Sequence, residues 1–146
     1  MGSAIEERIR EEVEGLHEFF VRWFSGAAPE ESFESGFLSR FASDLVFIPP
    51  AGSLLGLEDL ASSVRAAHAS NADFRVAIRR VRVQRELEGH VLATYEEWQR
   101  NALASTPADN GRLASVLFTR TEPLQWLHIH ETWLPEDVMS AGPYDF

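Results

Sequence analysis

From Asp73 onward the apolar residues change their period from 3.6 to 2, and this switch constrains the fold more than any other feature of the 146 residues. Before it, Ile5, Ile9, Val13, Leu16, Phe20, Trp23 and Phe24 recur at steps of three and four. That spacing predicts an amphipathic helix over about 3–25, ended by Gly26. Pro29 followed by Glu30 and Glu31 predicts a second, shorter helix through Phe33, Phe37, Leu38 and Phe41. Leu45-Val46-Phe47-Ile48 reads as a strand stopped by Pro49-Pro50. A third helix is expected over about 57–69, with Leu57, Leu60, Ala61, Val64 and His68 on its buried face. After the switch four strands are expected, at about 73–86, 90–103, 112–121 and 125–134, with turns at Glu88-Gly89 and Asp109-Asn110-Gly111. Helices first and antiparallel strands after make an α+β fold with the helices on one face of a curved sheet. We expect one domain over 1–134 and a tail over 135–146 that loses periodicity, reads as a loop from its Gly, Pro and acids, and folds back through Tyr144 and Phe146.

Composition narrows the chemistry. The chain has no cysteine, and all 13 basic residues are arginine, so thiolate nucleophiles, cysteine-ligated metals and lysine Schiff bases are excluded. With 23 acids the formal charge is −10, which disfavours phosphate backbones and anionic lipid; no nucleic-acid and no membrane partner is expected. The first ten residues lack an apolar run, so a cytoplasmic location is expected. Met1-Gly2 opens a myristoylation pattern that Glu6 breaks. No phosphate loop, nucleophile elbow or dinucleotide fingerprint occurs, and no cofactor is expected.

In the first long strand Phe74, Val76 and Ile78 alternate, yet the apolar phase resumes at Val81 and Val83, which predicts a β-bulge at Arg79-Arg80. A hairpin centred on Glu88 then sets Val83 opposite Ala93, Val81 opposite Tyr95 and the bulged arginines opposite Glu97.

The stretches Leu16-His17-Glu18-Phe19-Phe20-Val21-Arg22-Trp23 and Asp44-Leu45-Val46-Phe47-Ile48-Pro49-Pro50-Ala51-Gly52, with Gly56 opening a helix, resemble the nuclear transport factor 2-like superfamily. The strand Trp126-Leu127-His128-Ile129-His130-Glu131-Thr132-Trp133 is similar to the Trp-x-x-x-His-x-His strand of many members, departing from it at Thr132. The resemblance spans about residues 5 to 134 and looks closest to bacterial SnoaL-like proteins and the association domain of calcium/calmodulin-dependent protein kinase II. It implies a cone-shaped barrel, a curved and mostly antiparallel sheet wrapped around the long first helix with two further helices. The resemblance also implies an open pocket between the sheet and the long helix. The superfamily contains ketosteroid isomerase, scytalone dehydratase and limonene epoxide hydrolase, and also non-catalytic binding and assembly modules.

Period 2 sorts the last strand into Leu127, Ile129, Glu131 and Trp133 facing inward and Trp126, His128, His130 and Thr132 facing outward. The same alternation puts Tyr95 and Glu97 inside. His68 matches a pocket position of the kinase association domain. The expectation is a small organic ligand and a cofactor-independent acid/base site, of isomerase, dehydratase or cyclase type. Glu97 and Glu131 form its carboxylate pair, with Tyr95 and His68 as hydrogen-bond partners. His17, Phe47, Arg80, Trp133, Ile129 and Phe118 line the rest. Two alternatives stand beside it: Arg79 or Arg80 pairs with Glu97 and keeps it ionised, or the domain is a non-catalytic ligand-binding or assembly module. His128 and His130 share a face, but two ligands do not make a zinc site and Glu131 points the other way, so no metal is expected. With Trp126 and Trp98 they form an apolar outer face that predicts a homodimer.

Overall fold

The structure, a computed structural model, describes residues 3–146; the Met1-Gly2 start, with its broken myristoylation pattern, lies outside the described residues. Helix α1 (Ala4–Ser25) begins where the Ser3 side chain accepts the Glu6 N–H at 3.1 Å, and it carries Glu6 and Glu7 in its first turn and Arg22 in its last. Gly26 ends it with φ +87°, a left-handed conformation that favours glycine. The stripe Ile5, Ile9, Val13, Leu16, Phe19 and Trp23 is buried, and so is His17 at its edge.

The second predicted helix is broken. Helix α2 covers only Phe33–Gly36, between 3-10 turns at Glu30–Ser32 and Leu38–Arg40. Ser32, Ser35, Gly36 and Ser39 are poor helix-interior residues. Phe41 instead opens strand β1 (Phe41–Ile48), which stops at the prolines. A short β2 (Leu55–Gly56) leads into α3 (Leu57–Ala66), whose start is capped by Asp59 accepting the Gly56 N–H at 3.0 Å. The helix ends three residues earlier than expected, and His68 lies beyond it in a turn with Ala69 at φ +56°.

The remaining strands are β3 (Arg75–Leu87), β4 (His90–Arg100), β5 (Asn110–Thr119) and β6 (Gln125–Trp133). Leu87 pairs with His90 across the Glu88-Gly89 turn, but Asn110 and Gly111 belong to β5, and the β4–β5 loop is the longer segment 101–109. The six strands form one sheet in the order β2-β1-β6-β5-β4-β3, antiparallel except for β1 against β6. The two end strands do not pair, so the sheet curls around α1 without closing.

Two bulges bend β3. One lies between Arg79 and Arg82, where Arg80 has φ +56°, and the other between Val83 and Arg85. Val83 faces Ala93 as predicted, but Glu97 pairs with Ile78 and Arg79 with Glu96. Strand β6 has an irregularity that strict alternation misses: Leu117 pairs with His128 and Phe118 with Trp126, leaving Leu127 as an extra residue. The parity reverses there, so Trp126 turns inward. It is fully buried, and its indole N–H donates to Glu12 Oε2 at 2.9 Å, the oxygen that also accepts from Arg40 at 2.7 Å.

The tail is not a loop throughout. Helix α4 (Glu136–Ala141) precedes a terminus that lies over the back of the sheet, where Tyr144 meets Trp98 edge-on with ring centroids 5.6 Å apart. Among the described residues no helix is long and apolar enough to cross a membrane.

Candidate functional site

Register builds the site. On the inner face of β4, β5 and β6, cross-strand rows run Val91–Phe118–Trp126, then Ala93–Val116–Ile129, then Tyr95–Ala114–Glu131, then Glu97–Arg112–Trp133. Gln99 and Asn110 form the last row. Apolar rows therefore occupy one end and polar rows the other. Ala114 separates Tyr95 from Glu131 with the smallest side chain in its row.

Above these rows is a cavity of about 260 Å³. It is larger than the ~150 Å³ that suffices for benzene. Phe20 and Phe24 from α1, Phe41 and Phe47 from β1, Leu60 and Val64 from α3, and Phe74 form much of its wall. The half-buried Ser105 and the exposed Leu103 of the 101–109 loop stand at its mouth. His17, Tyr95, Glu97, Gln99, Arg112, Trp126, Ile129 and Glu131 complete the lining.

The polar groups form one network. His17 Nδ1 lies 2.7 Å from the Val13 carbonyl and Nε2 lies 3.0 Å from Glu97 Oε1. The other Glu97 oxygen accepts from Gln99 Nε2 at 2.6 Å, and Gln99 Oε1 accepts from Arg112 Nη2 at 3.2 Å. Arg112 Nη2 is also within reach of Asn110 Oδ1 at 3.1 Å and Ser105 Oγ at 3.3 Å, while Nη1 donates to Glu131 Oε1 at 3.0 Å. The guanidinium lies 4.9 Å from the Trp133 ring centroid. Three polar atoms of the network make no hydrogen bond among the described residues: Arg112 Nε, which is buried, and Glu131 Oε2 and the Tyr95 hydroxyl, whose side chains line the cavity.

The environments divide the two carboxylates. Burial pushes Glu97 up, but the charge and hydrogen bond of His17, the Arg112 charge and the Gln99 hydrogen bond outweigh it and hold Glu97 down at about 2. Burial also pushes Glu131 up, and the Glu97 charge adds to it; Arg112 and His17 offset only part, leaving Glu131 at about 7. Burial lowers His17, yet Glu97 and the Val13 carbonyl raise it above its usual value. Burial and the charges of Glu97 and Glu131 hold Tyr95 well above the usual tyrosine range, so its hydroxyl keeps its proton.

Of the residues expected from sequence, Glu97, Glu131, Tyr95, His17, Phe47 and Ile129 come together at this cavity. Four do not. His68 packs against Trp23, ring centroids 4.2 Å apart and tilted by 49°, and its Nε2 lies 2.8 Å from the Ala28 carbonyl. The side chain of Arg80 is 77% exposed beyond the bulge and faces Glu96 at 3.6 Å; Arg79 reaches Asp145 at 3.7 Å, so neither arginine pairs with Glu97. Phe118 is buried behind Trp126, 4.7 Å between centroids, and Trp133 is 37% exposed at the sheet's open end. The proposed outer face also changes: Trp126 is internal and Trp98 lies under the tail, leaving His128 and His130 there. Among the described residues, no group of three His, Asp or Glu lies close enough to hold a metal ion. Arg112 was not anticipated, although the alternation Arg112, Ala114, Val116, Phe118 would have placed it inside.

No family model and no curated protein matches the chain. Among solved structures, an NTF-2 like protein of unknown function from Pseudomonas aeruginosa is similar with a TM-score of 0.76 at 22% identity, covering 88% of this chain and 99% of that one. The CaMKII hub of S. rosetta is similar at a TM-score of 0.66 and 10% identity, over 92% of this chain and 100% of that one. A putative calcium/calmodulin-dependent protein kinase type II association domain from Thiobacillus denitrificans gives 0.54 at 21% identity, over 75% and 88%. At these identities the likeness shows the fold alone, and that fold is NTF2-like.

Proposed function

We propose that the cavity binds a small, mostly apolar organic molecule with one polar end, and that Glu131 is the group that gives it or takes from it a proton. One observation carries this reading: Glu131 is buried, Arg112 holds one of its oxygens, and the other opens unbonded into an aromatic cavity. A carboxyl held near neutral pH suits general acid or base work, since both of its forms are populated there. Glu97 has both oxygens engaged and stays ionised, so it sets the field of the site and does not exchange protons in it. Tyr95 supplies a hydrogen-bond donor beside Glu131. The test is a ¹³C titration of the Glu131 carboxyl with benzyl alcohol and toluene as probes. A midpoint near 7, and a preference for benzyl alcohol that Glu131→Gln abolishes, are expected. A midpoint near 4, or no binding of either probe, overturns the proposal.

A second reading, self-association through the outer sheet face, draws on Leu113, 40% exposed and paired with Thr132 beside His130. Two of the similar structures carry association or hub domain in their descriptions. Light scattering at micromolar concentration should give a dimer that Leu113→Glu dissociates. A monomeric wild type contradicts it.

A further inference from the structure

Successive residues of a strand point to opposite faces, so Trp98 and Arg100 stand on the back of β4 while Glu97 and Gln99 face the cavity. The last residues of the chain lie on that back surface. Tyr144 packs edge-on against Trp98, and Phe146 lies near two guanidinium groups, 5.2 Å from Arg100 and 5.8 Å from Arg79. Arg79 also reaches Asp145 at 3.7 Å and lies 5.8 Å from the Trp98 ring centroid. A basic and aromatic seat thus receives an acidic and aromatic terminus, in a chain that is otherwise strongly acidic.

The seat is keyed to the floor of the cavity. Gly111, the neighbour of Arg112, lies so close to Trp98 that a Cβ there would stand 2.9 Å from its Cε3 and 2.9 Å from Leu134 Cδ1. Leu134, at the root of the tail, donates its N–H to the Gly111 carbonyl at 3.0 Å. The Trp98 ring is therefore wedged between the terminus and the backbone that positions Glu97, Gln99 and Arg112.

We propose that residues 144–146 are a strap that regulates the cavity: docked on the back of β4, it presses Trp98 against Gly111 and holds the Gln99–Arg112–Glu131 chain in register. The strap rests on the reading of the cavity as the ligand site. Apart from the Tyr144–Trp98 ring contact and the Tyr144 hydroxyl, which donates to the Met139 carbonyl, its contacts are surface ion-pair and cation–π contacts, individually weak, so docking is reversible. By linkage, a ligand that binds the ordered floor better tightens the strap, and the docked strap tightens the ligand by the same factor.

The test uses the full chain with Tyr144→Ala and Phe146→Ala together, Arg79→Gln as a second way to undock, and Tyr144→Phe as the conservative control. Undocking is verified by acrylamide quenching of tryptophan emission. The expected result is a Glu131 titration midpoint displaced by about half a unit or more and benzyl alcohol bound about fivefold more weakly, with Tyr144→Phe unchanged. A strap that only adds stability would lower the melting temperature and leave the Glu131 midpoint and the affinity alone, and that outcome overturns the proposal. If the wild type binds no benzyl alcohol, the pocket reading fails, and the strap is decided by the Glu131 midpoint in the ligand-free protein.

Discussion

His17 and Glu97 share one proton between two buried groups, Nε2 to Oε1 at 3.0 Å, because the other imidazole nitrogen must donate to the Val13 carbonyl 2.7 Å away. With Nδ1 committed as a donor, Nε2 is bare unless the ring is an imidazolium. The raised His17 and lowered Glu97 both favour the ion pair. Imidazole ¹⁵N shifts should report a doubly protonated ring at pH 7, and a neutral ring would contradict this. His17→Leu leaves Glu97 buried without its counterion and should cost about 3–5 kcal/mol in denaturant unfolding. The double variant with Glu97→Leu should lose much less than the sum of the two singles.

Stability should peak near pH 4.5. Glu97 is lowered, so between about 2 and its usual 4.5 the unfolded chain holds the extra proton and stability rises with pH. Glu131 is raised, so between 4.5 and about 7 the folded chain holds the extra proton and stability falls as pH rises. His17, raised above 6.5, extends the fall. Each group contributes a slope of at most about 1.4 kcal/mol per pH unit within its window. Melting temperatures of Glu131→Gln should lose the decline between 4.5 and 7, and a wild-type curve flat over that interval would remove the basis for it.

Glu12 ties α1 to the sheet by accepting from both Trp126 and Arg40. Glu12→Ala strands a buried indole N–H and should cost about 1–3 kcal/mol. Trp126→Phe removes that donor, and its cost combined with Glu12→Ala should be less than additive by denaturant titration.

Gly111→Ala tests how closely the back of the sheet is packed. The added methyl meets Trp98 and Leu134 at 2.9 Å, so strand or ring must shift at a cost of about 1–3 kcal/mol. An unchanged unfolding midpoint would show that Trp98 yields freely.

Alternation alone located much of the site. Tyr95, Glu97, Ile129 and Glu131 fall on the inner face because β4 is regular and β6 is regular beyond Leu127. Alternation fails where one residue changes the parity: Leu127 turns Trp126 inward, and nothing in the apolar pattern marks it. His68 was placed by extending α3 past its end at Ala66, which carried the imidazole out of the helix's face and onto Trp23. The bulge on β3 offers Arg79 or Arg80 as a counterion for Glu97, and neither pairs with it. The partners of Glu97 come instead from α1 and, through Gln99, from β5, contacts of long range that local spacing does not encode. The terminus has no period to read, yet Tyr144 and Phe146, the aromatic residues expected to fold back, are the ones that meet Trp98 and Arg100; their place on the back of β4 is what the sequence does not encode.

The extra residue at Leu127 gives β6 two frames. On one side of it the strand feeds Trp126 to the apolar end of the cavity, and on the other it feeds Glu131 to the polar end. Were Leu127 to pair with Phe118 as an ordinary strand residue, Trp126 and every side chain before it would turn to the opposite surface while Ile129 and Glu131 stayed in place. The depth of the cavity and the chemistry of its floor are thus set by separate frames of a single strand.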